Sequence, residues 1–180
     1  MPKPKASELT PRQKIARNNK KRGSATERAL VRFLTEHNIP ARRVVMSGAL
    51  KKYTEQLAGL AENFRGDVII ETKGKPIRVE CKSRQKLPAY VVGERRGKPW
   101  NVKEVTHLCY ILTQEEFLTL CSDNILPEER LKISAEKCGA LVQWFNQDES
   151  EIVAMKEYGK HKWYFAVKFK TALKIGGKFK

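Results

Sequence analysis

The chain has 180 residues, of which 36 are Lys or Arg against 20 Asp or Glu, giving a formal net charge of +16. That length fits one domain with its own core, and the positive excess calls for a polyanionic partner, of which nucleic acid is the commonest. No stretch approaches the roughly 20 apolar residues of a bilayer span, no apolar run follows the basic N-terminus, and no segment joins a broad apolar face to a basic one, so an intracellular protein with no membrane partner is expected. The four cysteines, Cys81, Cys109, Cys121 and Cys138, are far apart and show no C-x-x-C spacing. Reduced thiols are expected rather than a disulfide framework or a zinc site.

Residues 1–23 are rich in Lys and Arg, among them Lys20, Lys21 and Arg22, with few apolar residues. They read as a flexible basic arm able to meet phosphates, ahead of a single domain over residues 24–180. A helix is predicted from Ser24, because Ser24-Ala-Thr-Glu27 has the capping-box pattern and Glu27, Leu30, Val31 and Leu34 recur on one face. Asn38 and Pro40 end it. Residues 41–46 form a predicted strand with Arg43 near its exit, closed by Ser47-Gly48, and residues 49–64 read as a loop with a helical turn or two.

Two short strands rich in Val and Ile follow, around Val68-Ile-Ile70 and Ile77 to Arg84, joined by a turn at Gly74. Gln85 to Trp100 is a basic loop containing Tyr90 and Trp100. Val105 to Leu112 is a predicted core strand, and Thr113-Gln-Glu-Glu116 a second capping box opening a helix to about Leu120. Residues 123–137 carry no clear pattern. Cys138 to Phe145 and Trp163 to Phe169 are both predicted strands, and the end of the chain is basic again.

The chemistry concentrates in Arg65 to Arg84. Side chains alternate along a strand, so Glu80 and Lys82 share one face, and Asp67 opens the neighbouring strand thirteen residues earlier. Two carboxylates and a lysine on one patch suit a divalent cation and a water, because Mg2+ is usually held by one or two carboxylates and keeps positions for waters and phosphate oxygens. Charge interrupting strands this apolar marks a site more often than a surface ion pair. A binding module without chemistry gains nothing from carboxylates facing phosphate.

Gly66-Asp67 followed by Glu80-Cys81-Lys82 resembles the PD-(D/E)XK nuclease signature. The wider series Lys21-Arg22-Gly23-Ser24, Glu27-Arg28, Arg43, Ser47-Gly48, Asp67 and Glu80-x-Lys82-Ser83 resembles the archaeal-type Holliday junction resolvases, over roughly residues 20–85. Gly66 stands where that signature has proline, a position read as supplying backbone shape. The resemblance implies an α/β fold of restriction-endonuclease type, with a mixed sheet of about five strands flanked by helices. It implies hydrolysis of DNA phosphodiesters, with Mg2+ or Mn2+ held by Asp67, Glu80, the carbonyl of Cys81 and Glu27, and with Lys82 positioning the attacking water. Lys20, Lys21, Arg22, Ser24, Arg28, Arg43, Ser47 and Arg84 would contact DNA, the substrate would be a four-way junction, and the enzyme would be a homodimer because two symmetric nicks need two sites. Other nucleases of the same signature, restriction-type or directed at branched or single-stranded DNA, are the alternatives.

Overall fold

A computed structural model describes residues 10–44, 66–92, 108–123, 132–134, 139–147 and 149–175. Its first element, α1, runs from Pro11 to Glu36, thirteen residues longer at its start than the helix predicted from Ser24. Thr10 is the N-cap. Its side chain accepts from the Gln13 amide while Gln13 reaches back to the Thr10 amide, and Pro11 takes the first helical position, where its missing N–H costs nothing. Residues 11–23 are therefore helical rather than an unstructured arm, and all of them are exposed. Ser24 lies inside the helix and accepts a hydrogen bond from the Arg28 guanidinium at 2.9 Å. The helix stops where Asn38 adopts a φ of 59°, a left-handed conformation that asparagine tolerates.

Seven strands form one mixed sheet, against the expected five or so. They are β1 (Ala41–Arg43), β2 (Val68–Ile70), β3 (Ile77–Arg84), β4 (Leu108–Thr113), β5 (Lys132–Ser134), β6 (Ile152–Glu157) and β7 (Tyr164–Lys168), in spatial order β1-β2-β3-β6-β7-β4-β5. Neighbours run antiparallel except β3 and β6, which are parallel. The remaining helices are α2 (Ala89–Val92), α3 (Gln114–Asp123), α4 (Gly139–Gln147) and α5 (Phe169–Ile175). The capping box opening α3 is present, with Thr113 and Glu116 exchanging side-chain to backbone bonds.

The sheet has an apolar layer on each face. One layer joins Leu30 and Leu34 of α1 to Val68, Ile70, Val79, Ile152, Ala154 and Phe165, with Phe117 of α3 and Ile175 of α5 closing it. The other joins Val153, Met155 and Ala166 to Leu141, Trp144 and Phe145 of α4 and to Leu87 and Val91. Residues 139–147 are thus helical where a strand was expected over 138–145. The reason lies in the period, since Leu141, Trp144 and Phe145 are buried at i, i+3 and i+4 on one helical face.

β6 was not anticipated, and it is central. Ile152, Val153, Ala154 and Met155 are all fully buried, so successive side chains enter opposite layers and the alternation that announces a half-exposed strand is lost. Burying side chains the size of Ile152, Val153 and Met155 contributes about 1.5–3 kcal/mol each, which makes β6 a main support of the sheet.

Candidate active site

Asp67 precedes β2, and Gly66 sets its direction. Gly66 has a φ of +80°, and a Cβ there would lie 3.4 Å from the Val79 carbonyl oxygen. Proline, locked near −65°, cannot adopt that conformation, so the glycine is not a neutral stand-in for the signature proline: it presents Asp67 by a different local backbone path. The Asp67 N–H donates to the Val79 carbonyl, and Asp67 Oδ2 accepts from the Cys81 N–H at 2.9 Å. The aspartate therefore takes over as partner of β3 where the β2 ladder ends, at Val68 opposite Val79.

Glu80 and Lys82 follow on the same face of β3. They lie in register with Val153 and Met155, which belong to the α4-side layer. Only 2% of Glu80 is exposed, and its Oε1 bonds to the Lys82 ammonium. A carboxylate so far from water must be matched by a cation, and here the match comes from the same strand.

Glu27 leads the apolar stripe of α1, as its spacing from Leu30 and Leu34 predicts, but α1 covers the opposite face of the sheet. Its Oε2 is bonded to the Arg43 guanidinium at the end of β1. The structure thus pairs Glu27 with Arg43 on one side and Glu80 with Lys82 on the other, with Cys81 between them. The Cys81 thiol registers both sides: its pKa is held well above the ordinary range, first by burial and then by the charges of Asp67, Glu80 and Glu27, with Lys82 opposing. Three carboxylates accordingly act on one atom, although among the described residues no three His, Cys, Asp or Glu side chains come together as an ion-binding group.

Of the residues expected to contact DNA, Lys20, Lys21, Arg22 and Arg28 are exposed on α1 and Ser24 is partly exposed. Arg84 is exposed at the end of β3, its guanidinium 5.5 Å from the centre of the Trp144 ring. Ser47, with the Ser47-Gly48 turn, lies outside the described residues, as do most of the basic loop after residue 92 and the segment 49–64.

Residues 18–98 match the family model of the archaeal Holliday junction resolvases, Hjc. Over this segment the chain is similar to that family. The matched segment, a little under half of the chain, runs from the basic half of α1 through β1, β2 and β3 to α2, and so contains Glu27, Arg43, Asp67, Glu80 and Lys82. The family is one of nucleases acting on DNA junctions, in recombination and repair. Searches of the curated proteins and of the solved structures return no significant match. No described helix is long and apolar enough to cross a membrane.

Beyond the matched segment, Lys156 and Tyr158 lie near the site without a motif to announce them. The signal is the strand alternation itself: Ile152 and Ala154 enter the α1-side layer, so Lys156 follows on that face, in register with Ser83.

Proposed function

We propose that the chain is a metal-dependent endonuclease that resolves four-way DNA junctions by paired phosphodiester hydrolysis, acting as a homodimer. The observation that carries this reading is the arrangement around Cys81, whose amide is held by Asp67 while the buried Glu80–Lys82 pair flanks it in β3. A carboxylate pair beside a lysine at the end of a short ladder serves no packing purpose. It serves a phosphate and a cation.

The donor set is one of hard oxygens, which fits Mg2+ or Mn2+ and not a soft metal. Asp67, Glu80 and the Cys81 carbonyl would hold the ion, with Glu27 contributing through the ion or its water. When bound, the cation polarises the phosphoryl oxygens and offsets the charge that grows in the transition state. The residues of the chain do the rest. Lys82 orients the attacking water and adds a positive charge near the phosphorus. Asp67 is held by its bond to the Cys81 amide, so its carboxylate is placed in advance for the role of cation ligand. Arg43 holds Glu27, and Lys20, Lys21, Arg22, Ser24, Arg28 and Arg84 supply cations and a hydroxyl to the DNA backbone, which reads shape and phosphate spacing rather than base edges.

The test uses a synthetic four-way junction and a linear duplex of the same arms, with and without Mg2+. Paired nicks near the branch point, absent without the cation, are expected. Asp67→Asn and Glu80→Gln should each bind the junction and fail to cut it. Undiminished nicking by both variants would remove the site.

A further inference from the structure

On the α1 side of the sheet, past the carboxylates, lies a cavity of about 330 Å³ between α1 and the ends of β3 and β6. Arg22, Ala25 and Thr26 form one wall, Ser83 and Lys156 the floor, and Tyr158 with Gly159 the far rim. We propose that this groove is a seat for a backbone phosphate of the bound DNA, one built jointly by the Hjc-like segment and by the part of the chain that lies beyond it.

Charge and placement both support it. Two cations and three hydroxyl-bearing side chains, Thr26, Ser83 and Tyr158, line the groove, and the described lining holds no carboxylate. Each cation is propped on a ring rather than tied into an ion pair among the described residues. The Arg22 guanidinium lies 4.5 Å from the centre of the Tyr158 ring, and the Lys156 ammonium 5.0 Å from that of Trp163. Aromatic faces hold a cation in place without neutralising it, so the field in the groove stays positive and an anion is the ligand that relieves it. Tyr158 stays 38% exposed, and Gly159, with a φ of +71°, turns the chain away and leaves nothing within 4 Å of where its Cβ would be. The entrance is open.

Position then selects the anion. Ser83 is the neighbour of Lys82 in β3 and Lys156 lies opposite it in β6, while Arg22 is little more than one helical turn before Glu27. The groove thus adjoins in sequence both Lys82 on β3 and Glu27 on α1, so a DNA backbone reaching the proposed centre would have further phosphates near it. The proposal rests on the nuclease reading for the identity of the polyanion, but its test does not require cleavage.

Binding of a fluorescent four-way junction is measured by anisotropy without divalent metal, across a series of salt concentrations. Lys156→Gln should flatten the slope of log affinity against log salt by about 0.9, the release expected for one phosphate contact. Ala25→Glu places a carboxylate in the groove from an exposed helical position and should weaken binding about tenfold, as like charges brought together do. Ala25→Gln, of equal size without the charge, should lose less affinity than Ala25→Glu, while Lys73→Gln, which removes a lysine from the exposed β2–β3 turn, should bind as wild type. Wild-type affinity and slope in both Lys156→Gln and Ala25→Glu would overturn the seat, as would an equal loss in Lys73→Gln. If wild type fails to cut junctions while Lys156→Gln flattens the slope, the nuclease reading falls and the seat stands.

Discussion

Lys82 bonds through its ammonium to Oε1 of Glu80, two residues earlier on the same face of β3, with the glutamate almost wholly out of water. Removing one member of such a pair strands the other, at about 3–5 kcal/mol, whereas removing both costs far less. Lys82→Met and Glu80→Gln should therefore each lower stability in urea denaturation, and the double variant should recover most of the loss. Additive losses in that cycle would mean that the two residues act separately. Cleavage should be absent in all three, which separates the structural coupling from the chemistry.

The Cys81 amide supplies a second comparison. Asp67→Asn keeps an oxygen that can accept from it, while Asp67→Ala leaves that N–H without its side-chain acceptor. The alanine variant should be less stable than the asparagine variant by about 1–3 kcal/mol, the cost of a stranded polar group. Equal melting temperatures would show that water replaces the carboxylate at no cost.

Gly66 is held at a φ of +80° directly before Asp67. Gly66→Ala should cost about 1–2 kcal/mol, because an L side chain resists that region. Gly66→Pro should cost more, since the ring forbids the conformation outright, even though proline is the residue of the wider signature. Thermal unfolding of the two variants decides the point, and a proline variant as stable as wild type would show that the backbone can take the other path.

Lys168 closes β7 with its ammonium 5.3 Å from the centre of the Phe145 ring. Burial lowers its pKa from 10.5, with Glu151 and Glu149 pulling the other way. A base whose folded pKa lies below its unfolded value is neutral in both states at high pH. As the pH falls through 10.5 the unfolded chain takes up the proton first, so stability drops and the deficit persists at neutral pH. Lys168→Met should accordingly melt above wild type at pH 7, with the gap closing as the pH approaches 10.5. A variant that melts below wild type at pH 7 would mean that the pull of the two glutamates outweighs burial.

What the sequence discloses follows from how each element is buried. The β2–β3 hairpin is legible because Val68 to Ile70 and Ile77 to Val79 are apolar while Asp67, Glu80 and Lys82 break the pattern beside them. The packed half of α1 is legible from Leu30 and Leu34, but its exposed half has no apolar face to reveal it and is specified by Thr10, Pro11 and Gln13 at its start. The apolar run of α4 is too short for its period to declare itself against a strand, and β6, buried on both faces, has no period of 2 to declare. At the site, residue identities disclose donor type and charge, whereas the division of Glu27 and Glu80 between two faces depends on where α1 crosses the sheet.

The parallel pairing of β3 with β6 has a consequence for the order in which this protein becomes itself. Residues 18–98 carry the nuclease signature, yet β3 lies inside the sheet only once residues 152–157 have come back to pair with it. Until then the strand bearing Glu80 and Lys82 is an edge, with backbone groups open to any passing partner. During synthesis the signature leaves the ribosome well before the strand that completes its surroundings. A fragment cut to residues 18–98 would leave that edge open for good and is expected to aggregate.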